Sequence, residues 1–286
     1  MRWPRCTRNS RRASRGATHR GRMADSRLDA AVAARGLARS RSHAATLISQ
    51  GLVTVDGVGV VKPAHRVGDA QSIEVANTDH YVSRAAHKLI AALDGFSIDP
   101  GGRLALDVGA STGGFTQVLL ERGARAVISL DVGHGQLAEP VRSDPRVRNI
   151  EGVNARYLQP ESLAGQVGTN EKPSLVVGDL SFISLGMVLP GMLAVAETGA
   201  DFVLLVKPQF EVGRTGIREG VVRTAALRDE AVMGVLWAAW DLGLGTAGIL
   251  PSPIVGTAGN REYLAWLSAE HGSNPTEWSA AVSAIA

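Results

Sequence analysis

The apolar positions change their period along the chain. Between Ser26 and about Val75, Leu28, Ala31, Val32 and Leu37 recur at near-helical intervals. Ser40 is placed to cap a second helix with Ala44, Leu47 and Ile48 on its apolar face and Gly51 at its end. Leu52 to Val55 then alternate into Asp56-Gly57, a two-residue hairpin signal, with Val58 to Val61 as the return strand and Ser72 to Val75 as a third strand. A unit of about 50 residues buries only a small core, so this stretch reads as an accessory module.

Beyond a linker near Thr78 to Tyr81 the pattern predicts a helix over Ser83 to Phe96, then strands alternating with helices. The strands fall at Leu104 to Val108, Val127 to Asp131, Val147 to Ile150, Leu175 to Asp179 and Phe202 to Val206. A long helical stretch, Ala225 to Asp241, precedes two extended segments near Ile249 and Tyr263. Near-continuous apolar strands in regular βα alternation predict an α/β domain, with a doubly wound, mostly parallel sheet covered on both faces. No internal repeat is present.

Composition narrows the class. The chain has 286 residues, of which 45% are hydrophobic, enough to bury a real core. No apolar run approaches the ~18 residues that span a bilayer; Ala231 to Trp240 stops at Asp241. The single cysteine, Cys6, excludes an intrachain disulfide framework and a cysteine-based zinc site. The expectation is a soluble cytoplasmic protein.

The net charge of +3 hides an asymmetry. Residues 1–22 hold eight arginines and no acid, and the remainder carries a net charge of −5. This leader lacks the apolar core of a secretory signal. Its composition fits a disordered basic arm, a transit-like segment, or a sequence upstream of a true start at Met23. Of 30 basic residues only Lys62, Lys88, Lys172 and Lys207 are lysines. Lysine, unlike arginine, can lose its proton near neutral pH when its surroundings favour the neutral form. Lys62 before Pro63 and Lys172 in the Asn170–Pro173 loop read as surface residues, which leaves Lys88 and Lys207.

Three strand ends carry candidate chemistry. Strand Leu104 to Val108 runs into Gly109-Ala110-Ser111-Thr112-Gly113-Gly114-Phe115 just after Asp107. Glycines there let the backbone approach a ligand at the switch point of a doubly wound sheet. The spacing does not match Gly-x-Gly-x-x-Gly, which counts against NAD, the other candidate ligand. Asp131, at the end of the next strand, can accept hydrogen bonds from ribose hydroxyls. Loop and acid together resemble the S-adenosylmethionine site of Rossmann-type methyltransferases. Asp179 and Lys207 end two further strands and face the same crevice, either as chemistry or as a structural ion pair. Arg35, Arg39 and Arg41 surround the predicted helix turn beside a helix N-terminus, an arrangement suited to a phosphate backbone, or else a solvated basic face. The stretch through Asp56-Gly57 resembles the ribosomal-protein S-four-type RNA-binding domain.

Ser83-Arg84-Ala85-Ala86-His87-Lys88-Leu89, the glycine loop, Asp179-Leu180-Ser181-Phe182-Ile183-Ser184, Lys207-Pro208-Gln209-Phe210-Glu211 and Gly259-Asn260-Arg261-Glu262-Tyr263 occur in order. Together they resemble the TlyA family of ribosomal RNA ribose methyltransferases, also called hemolysins, from about Met23 to Leu267. The resemblance leaves the leader at 1–22 unmatched, and it implies an S-four-type α+β domain at 23–78, a linker at 79–82, an FtsJ-like Rossmann-type methyltransferase domain at 83–270 and a tail at 271–286. It implies S-adenosylmethionine held by Asp107, the 109–115 loop and Asp131, with no metal. It assigns the Lys-Asp-Lys-Glu catalytic set to Lys88, Asp179, Lys207 and Glu262.

Methylating a ribose 2′-hydroxyl needs in-line approach to a sulfonium methyl and removal of a weakly acidic proton. Lys207 is the expected base or hydroxyl activator and Lys88 the group that positions the ribose. A free lysine is mostly protonated. The second lysine and the sulfonium favour the neutral amine, and Asp179 and Glu262 oppose it and orient the amines. The implied partner is ribosomal RNA in the ribosome or its subunits, at a cytidine of the large subunit and in some members also the small one, with the enzyme a monomer. Two other classes stay open: an RNA-binding assembly protein, against which the intact catalytic set argues, and a membrane-lysing protein, for which no signal, span or cationic amphipathic helix speaks.

Overall fold

The computed structural model describes residues 26–38, 40–75, 80–213, 220–256 and 259–286. The expected leader and Arg39 lie outside the described residues, as does part of the linker. The described chain divides into two compact units, with the division between Val75 and His80.

In the first unit β1 (Ser26–Arg27) leads into α1 (Leu28–Ala34) and α2 (Arg41–Ser49). Ser40 caps α2 as expected, its Oγ accepting the His43 N–H at 3.1 Å. Strands β2 (Val53–Val55), β3 (Val58–Gly59), β4 (Arg66–Val67) and β5 (Ile73–Val75) follow. Asp56 and Gly57 both take positive φ, 51° and 78°, which lets the β2–β3 hairpin twist with its strands. β2 sits between β3 and β5, all antiparallel. A separate two-residue pair joins β1 to β4, too short to leave a period in the sequence. Leu28, Val32, Ala44, Leu47, Ile48 and Val53 form the small core.

The second unit opens on α3 (Ala86–Phe96). Ser83 to Ala85, expected in this helix, form a tight turn that feeds it, with the Ala86 N–H on the Ser83 carbonyl at 3.1 Å. The chain then alternates through β6 (Leu104–Val108), α4 (Gly114–Glu121), β7 (Ala126–Asp131), α5 (Glu139–Arg142), β8 (Val147–Glu151), α6 (Pro160–Val167), β9 (Leu175–Gly178), α7 (Leu185–Val195) and β10 (Asp201–Val206). The short α8 (Pro208–Glu211) and the long α9 (Ala225–Trp240) precede β11 (Gly245–Pro251), β12 (Tyr263–Ser268) and α10 (Ser279–Ile285).

These strands make one seven-stranded sheet in the order β11-β12-β10-β9-β6-β7-β8. The five from β10 to β8 are parallel; β12 runs antiparallel to β10, and β11 pairs antiparallel with β12 at the edge. Successive residues point to opposite faces. Leu104, Leu106 and Val108 therefore join α7 and α9 in one core, while Ala105 joins α3 and α4 in the other. Residues 271–286, expected as a tail, fold back onto the domain, and Val282 of α10 is fully buried in the α7–α9 core.

Candidate active site

β6 lies at the centre of the five parallel strands, and the chain order runs outward from it in both directions: β7 and β8 on one side, β9 and β10 on the other. This is the switch point at which open α/β sheets bind ligands. Asp179 follows β9, and its N–H bonds the Val108 carbonyl at the end of β6 at 3.3 Å. Lys207 follows β10. β12 is antiparallel and pairs Tyr263 with Val206, so Glu262, just before β12, arrives at the same edge. Lys88 reaches it from the first turn of α3.

Four charges alternate across this edge. Lys88 Nζ donates to Glu262 Oε2 at 2.7 Å and to Asp179 Oδ2 at 3.5 Å. Lys207 Nζ lies 2.7 Å from Asp179 Oδ1 and donates to Ser181 Oγ at 2.8 Å. Lys88, Lys207 and Glu262 are buried, at 5%, 8% and 4% exposure. Two cations and two anions cancel, which is how four such charges are tolerated away from water. Burial alone would raise the Asp179 carboxyl, but the charges of Lys88 and Lys207 outweigh it and hold the group below the usual carboxylate range. Burial lowers the Arg84 guanidinium, four residues ahead of Lys88, and the charges of Glu262 and Asp179 offset this only in part.

Of these four residues Asp179 lines both of two adjoining cavities and Lys207 lines the smaller one. One of about 510 Å³ is lined by Gly109, Asp131, Asn154, Asp179 and Phe182. The other, about 180 Å³, has Ser83, the 109–112 backbone, Gly114, Phe115, Ser181 and Lys207 on its wall. Gly109, Ser111, Asp179 and Ser181 line both. Gly109 has φ 82°, and a Cβ there would stand 3.3 Å from the Asp179 carbonyl oxygen. Gly113, at φ 95°, would drive a Cβ to 2.7 Å from Leu137. Glycine at both positions keeps the loop against the strand ends. Asp131 is aimed by the backbone: its Oδ2 accepts the Ser111 N–H at 2.8 Å and its Oδ1 the Gly133 N–H at 2.7 Å. A hollow of about 630 Å³ between α7, α8 and α9 has none of the tetrad residues on its wall.

Asp107 sits beneath the loop and lines neither cavity. On the alternating strand it shares a face with Ala105 and meets Thr116 of α4, whose hydroxyl donates to Oδ2 at 2.6 Å. Its Oδ1 is buried without a hydrogen-bond partner. Burial, only partly offset by Thr116, pushes this carboxyl up to about 7, and the charges of Asp179 and Asp131 add to the rise. The folded value exceeds the unfolded one, so the stability this group contributes is full below about pH 4 and is lost as pH rises through about 7. Thermal melts of Asp107→Asn are expected to fall less than those of the wild type between pH 5 and 8. Parallel pH profiles would remove Asp107 as the titrating group.

In the first unit, two of the three candidate RNA-contacting arginines have work inside the fold. Arg35 donates to the carbonyls of Gln71, Gly68 and Asp69 at 2.7, 3.2 and 3.3 Å. Arg41 lies 3.3 Å from Asp29, which Arg27 also grips with two hydrogen bonds. The Arg41 side chain remains 59% exposed.

Sequence patterns passed over three residues that shape the second unit's site. Ser181 binds Lys207 directly. Phe182 is 91% exposed at the cavity mouth with φ 65°, a left-handed conformation that costs a bulky residue about 1–2 kcal/mol. Asn260 is buried, accepts the Val222 N–H at 2.9 Å and donates to the Gly220 carbonyl at 2.8 Å, bracing the turn that delivers Glu262. The signal for all three was their place in the quoted motifs. Among the described residues no cluster of His, Cys, Asp and Glu could hold a metal ion. No helix among them is long and apolar enough to cross a membrane.

This sheet order and strand-end site define a methyltransferase fold, and the family model described as FtsJ-like methyltransferase matches residues 81–269. The S4 domain model matches residues 26–72. The 16S/23S rRNA (cytidine-2′-O)-methyltransferase TlyA of Mycobacterium tuberculosis is 50% identical over 244 residues, 84% of this chain and 89% of the relative. Hemolysin A of Brachyspira hyodysenteriae is 40% identical over 240 residues, 84% of this chain and 98% of the relative. A solved Streptococcus thermophilus structure carrying the hemolysin name superposes with a TM-score of 0.70 at 36% identity, covering 92% of this chain and 96% of that one. The chain belongs to the FtsJ-like methyltransferases and, within them, to the TlyA family.

Proposed function

We propose that this protein transfers the methyl group of S-adenosylmethionine to the ribose 2′-hydroxyl of a cytidine in ribosomal RNA, acting as a monomer in the cytoplasm. The observation that carries this reading is the alternating Glu262–Lys88–Asp179–Lys207 tetrad, whose Asp179 and Lys207 stand on the wall of a cavity that the glycine loop also lines. The cavity pair suits S-adenosylmethionine: Asp131 would take the ribose hydroxyls, and the 109–115 backbone would line the amino-acid end. When bound, S-adenosylmethionine supplies a methyl on a sulfonium, whose S–C electron pair returns to sulfur as the methyl moves to oxygen.

The two lysines are not equivalent. Lys88 is gripped by two carboxylates and lines neither cavity, so it serves as a fixed cation that orients the ribose. Lys207 has one carboxylate, one hydroxyl and a place on the cavity wall, so its Nζ takes the 2′-hydroxyl proton. Asp107 supports the loop from below. Arg41, with donors to spare on an exposed guanidinium, and Arg39 would grip RNA phosphates, and Arg35 would hold their platform together.

Purified protein is expected to bind S-adenosylmethionine in calorimetry. Asp131→Ala is expected to bind it about 10- to 100-fold more weakly, because each charge-assisted hydrogen bond is worth about 1.5–3 kcal/mol. Mapping 2′-O-methyl groups on ribosomal RNA from cells with and without the gene is expected to reveal a cytidine methylated only in its presence. Identical maps would overturn the substrate, and tight NAD binding without a response to S-adenosylmethionine would overturn the cofactor.

A further inference from the structure

Among the described residues Lys207 has a neutral hydrogen-bond partner and Lys88 has none. Its Nζ stands between Asp179 Oδ1 at 2.7 Å and Ser181 Oγ at 2.8 Å. Ser181 is exposed and lines both cavities, whereas Lys207 itself is buried. The left-handed backbone of Phe182 turns the chain immediately after Ser181.

Valence makes this bracket meaningful. A neutral amine carries two N–H donors and one lone pair, and an ammonium carries three donors. If the two donors of neutral Lys207 go to Asp179 and Ser181, the lone pair has one remaining direction. A lysine held by Asp179 alone could rotate that lone pair away. A second carboxylate in place of Ser181 would fix the amine too, but its charge would favour the protonated form, which cannot accept a proton. A hydroxyl orients the amine and adds no charge.

We propose that Ser181 is a positioning residue for methyl transfer: with Asp179 it brackets the Lys207 amine and aims its lone pair at the incoming 2′-hydroxyl. This rests on the reading of Lys207 as proton acceptor. The O2′–H proton passes to the lone pair, which becomes the third N–H of the ammonium. The O–H electron pair stays on oxygen for the new bond to the methyl carbon. Ser181 keeps one N–H and the Asp179 carboxylate stays beside the amine at 2.7 Å, so no partner is exchanged as the proton moves.

Four variants test this in steady-state and single-turnover methylation of the ribosomal RNA substrate: Ser181→Ala, Ser181→Thr, Lys207→Ala and the Ser181→Ala/Lys207→Ala double. A lost hydrogen bond to a charged group predicts about a 10- to 100-fold fall in turnover for Ser181→Ala, with the KM values for S-adenosylmethionine and RNA changed less than about twofold. Ser181→Thr, which restores a hydroxyl, is expected to recover most of the rate. In the Lys207→Ala background Ser181→Ala is expected to cost less than about twofold, because residues acting through one another are not additive. Near-normal turnover in Ser181→Ala overturns the proposal, as does a raised KM with unchanged kcat, an equal loss in both backgrounds or failure of Ser181→Thr to recover. Full activity in Lys207→Ala would overturn the proton-acceptor reading itself. An inactive Lys207→Ala beside a normal Ser181→Ala removes only the role of Ser181.

Discussion

Lys207→Arg is expected to bind S-adenosylmethionine and ribosomal RNA within a few-fold of the wild type and to lose about 10²- to 10⁴-fold in turnover, the usual cost of removing a general base. Arginine keeps the positive charge and can still pair with Asp179, which now lies 2.7 Å from the lysine Nζ. What it loses is the ability to become a neutral amine near pH 7. The same exchange at Lys88 is expected to do less harm, because a cation held by Glu262 and Asp179 acts through its charge. Single-turnover rates and calorimetry on both variants check the pair of outcomes. Substantial activity in Lys207→Arg would mean that charge alone suffices there, and that catalysis rests on aligning the hydroxyl with the methyl group.

Asp179→Ala is expected to damage the fold as well as the rate. Among the described residues Asp179 is the only carboxylate paired with Lys207, and it links the two lysines. Removing it leaves two largely buried ammonium groups with Glu262 as their remaining anion. Breaking a buried ion pair in this way costs about 3–5 kcal/mol. For a domain of this size that lowers the melting temperature by roughly 10 °C. The pH dependence gives a second check. The Asp179 carboxyl lies below its unfolded value, so its contribution is present above about pH 4 and is lost as the solution is acidified. The variant's stability is therefore expected to fall less steeply than that of the wild type on the acid side. A melting temperature and acid limb equal to the wild type would show that the two lysines are adequately solvated without Asp179. Turnover is expected to drop by at least the factor seen for Lys207→Arg, because both lysines lose their shared anchor.

The core strands, the hairpin and the loop chemistry were legible in the amino-acid sequence. Strands such as Leu104–Val108 and Asp201–Val206 are almost wholly apolar, one aspartate apart in each, and that follows from burial between two helical layers. The Asp56-Gly57 turn and the Ser40 cap obey local backbone chemistry and appear where they were expected. The scarcity of lysine in an arginine-rich chain singled out Lys88 and Lys207, and family resemblance, not spacing, gave them roles.

Tertiary structure decided the rest, because the contacts that matter join residues far apart in the chain. Lys88 meets Asp179 across 91 positions and Glu262 across 174. No local period reports such a pairing. Glu262 reaches the site only because β12 runs antiparallel and starts where β10 ends. Arg35 looked like a phosphate ligand in sequence, yet its guanidinium is held by three backbone carbonyls that fold close to it. Residues 271–286 looked like a tail because their few apolar positions say nothing of the groove between α9 and the sheet that buries Val282. Local sequence determines which residues can be buried or charged. Which charges meet, and which amine is left facing a cavity, depends on strand order and register, and these are settled only when the whole sheet packs.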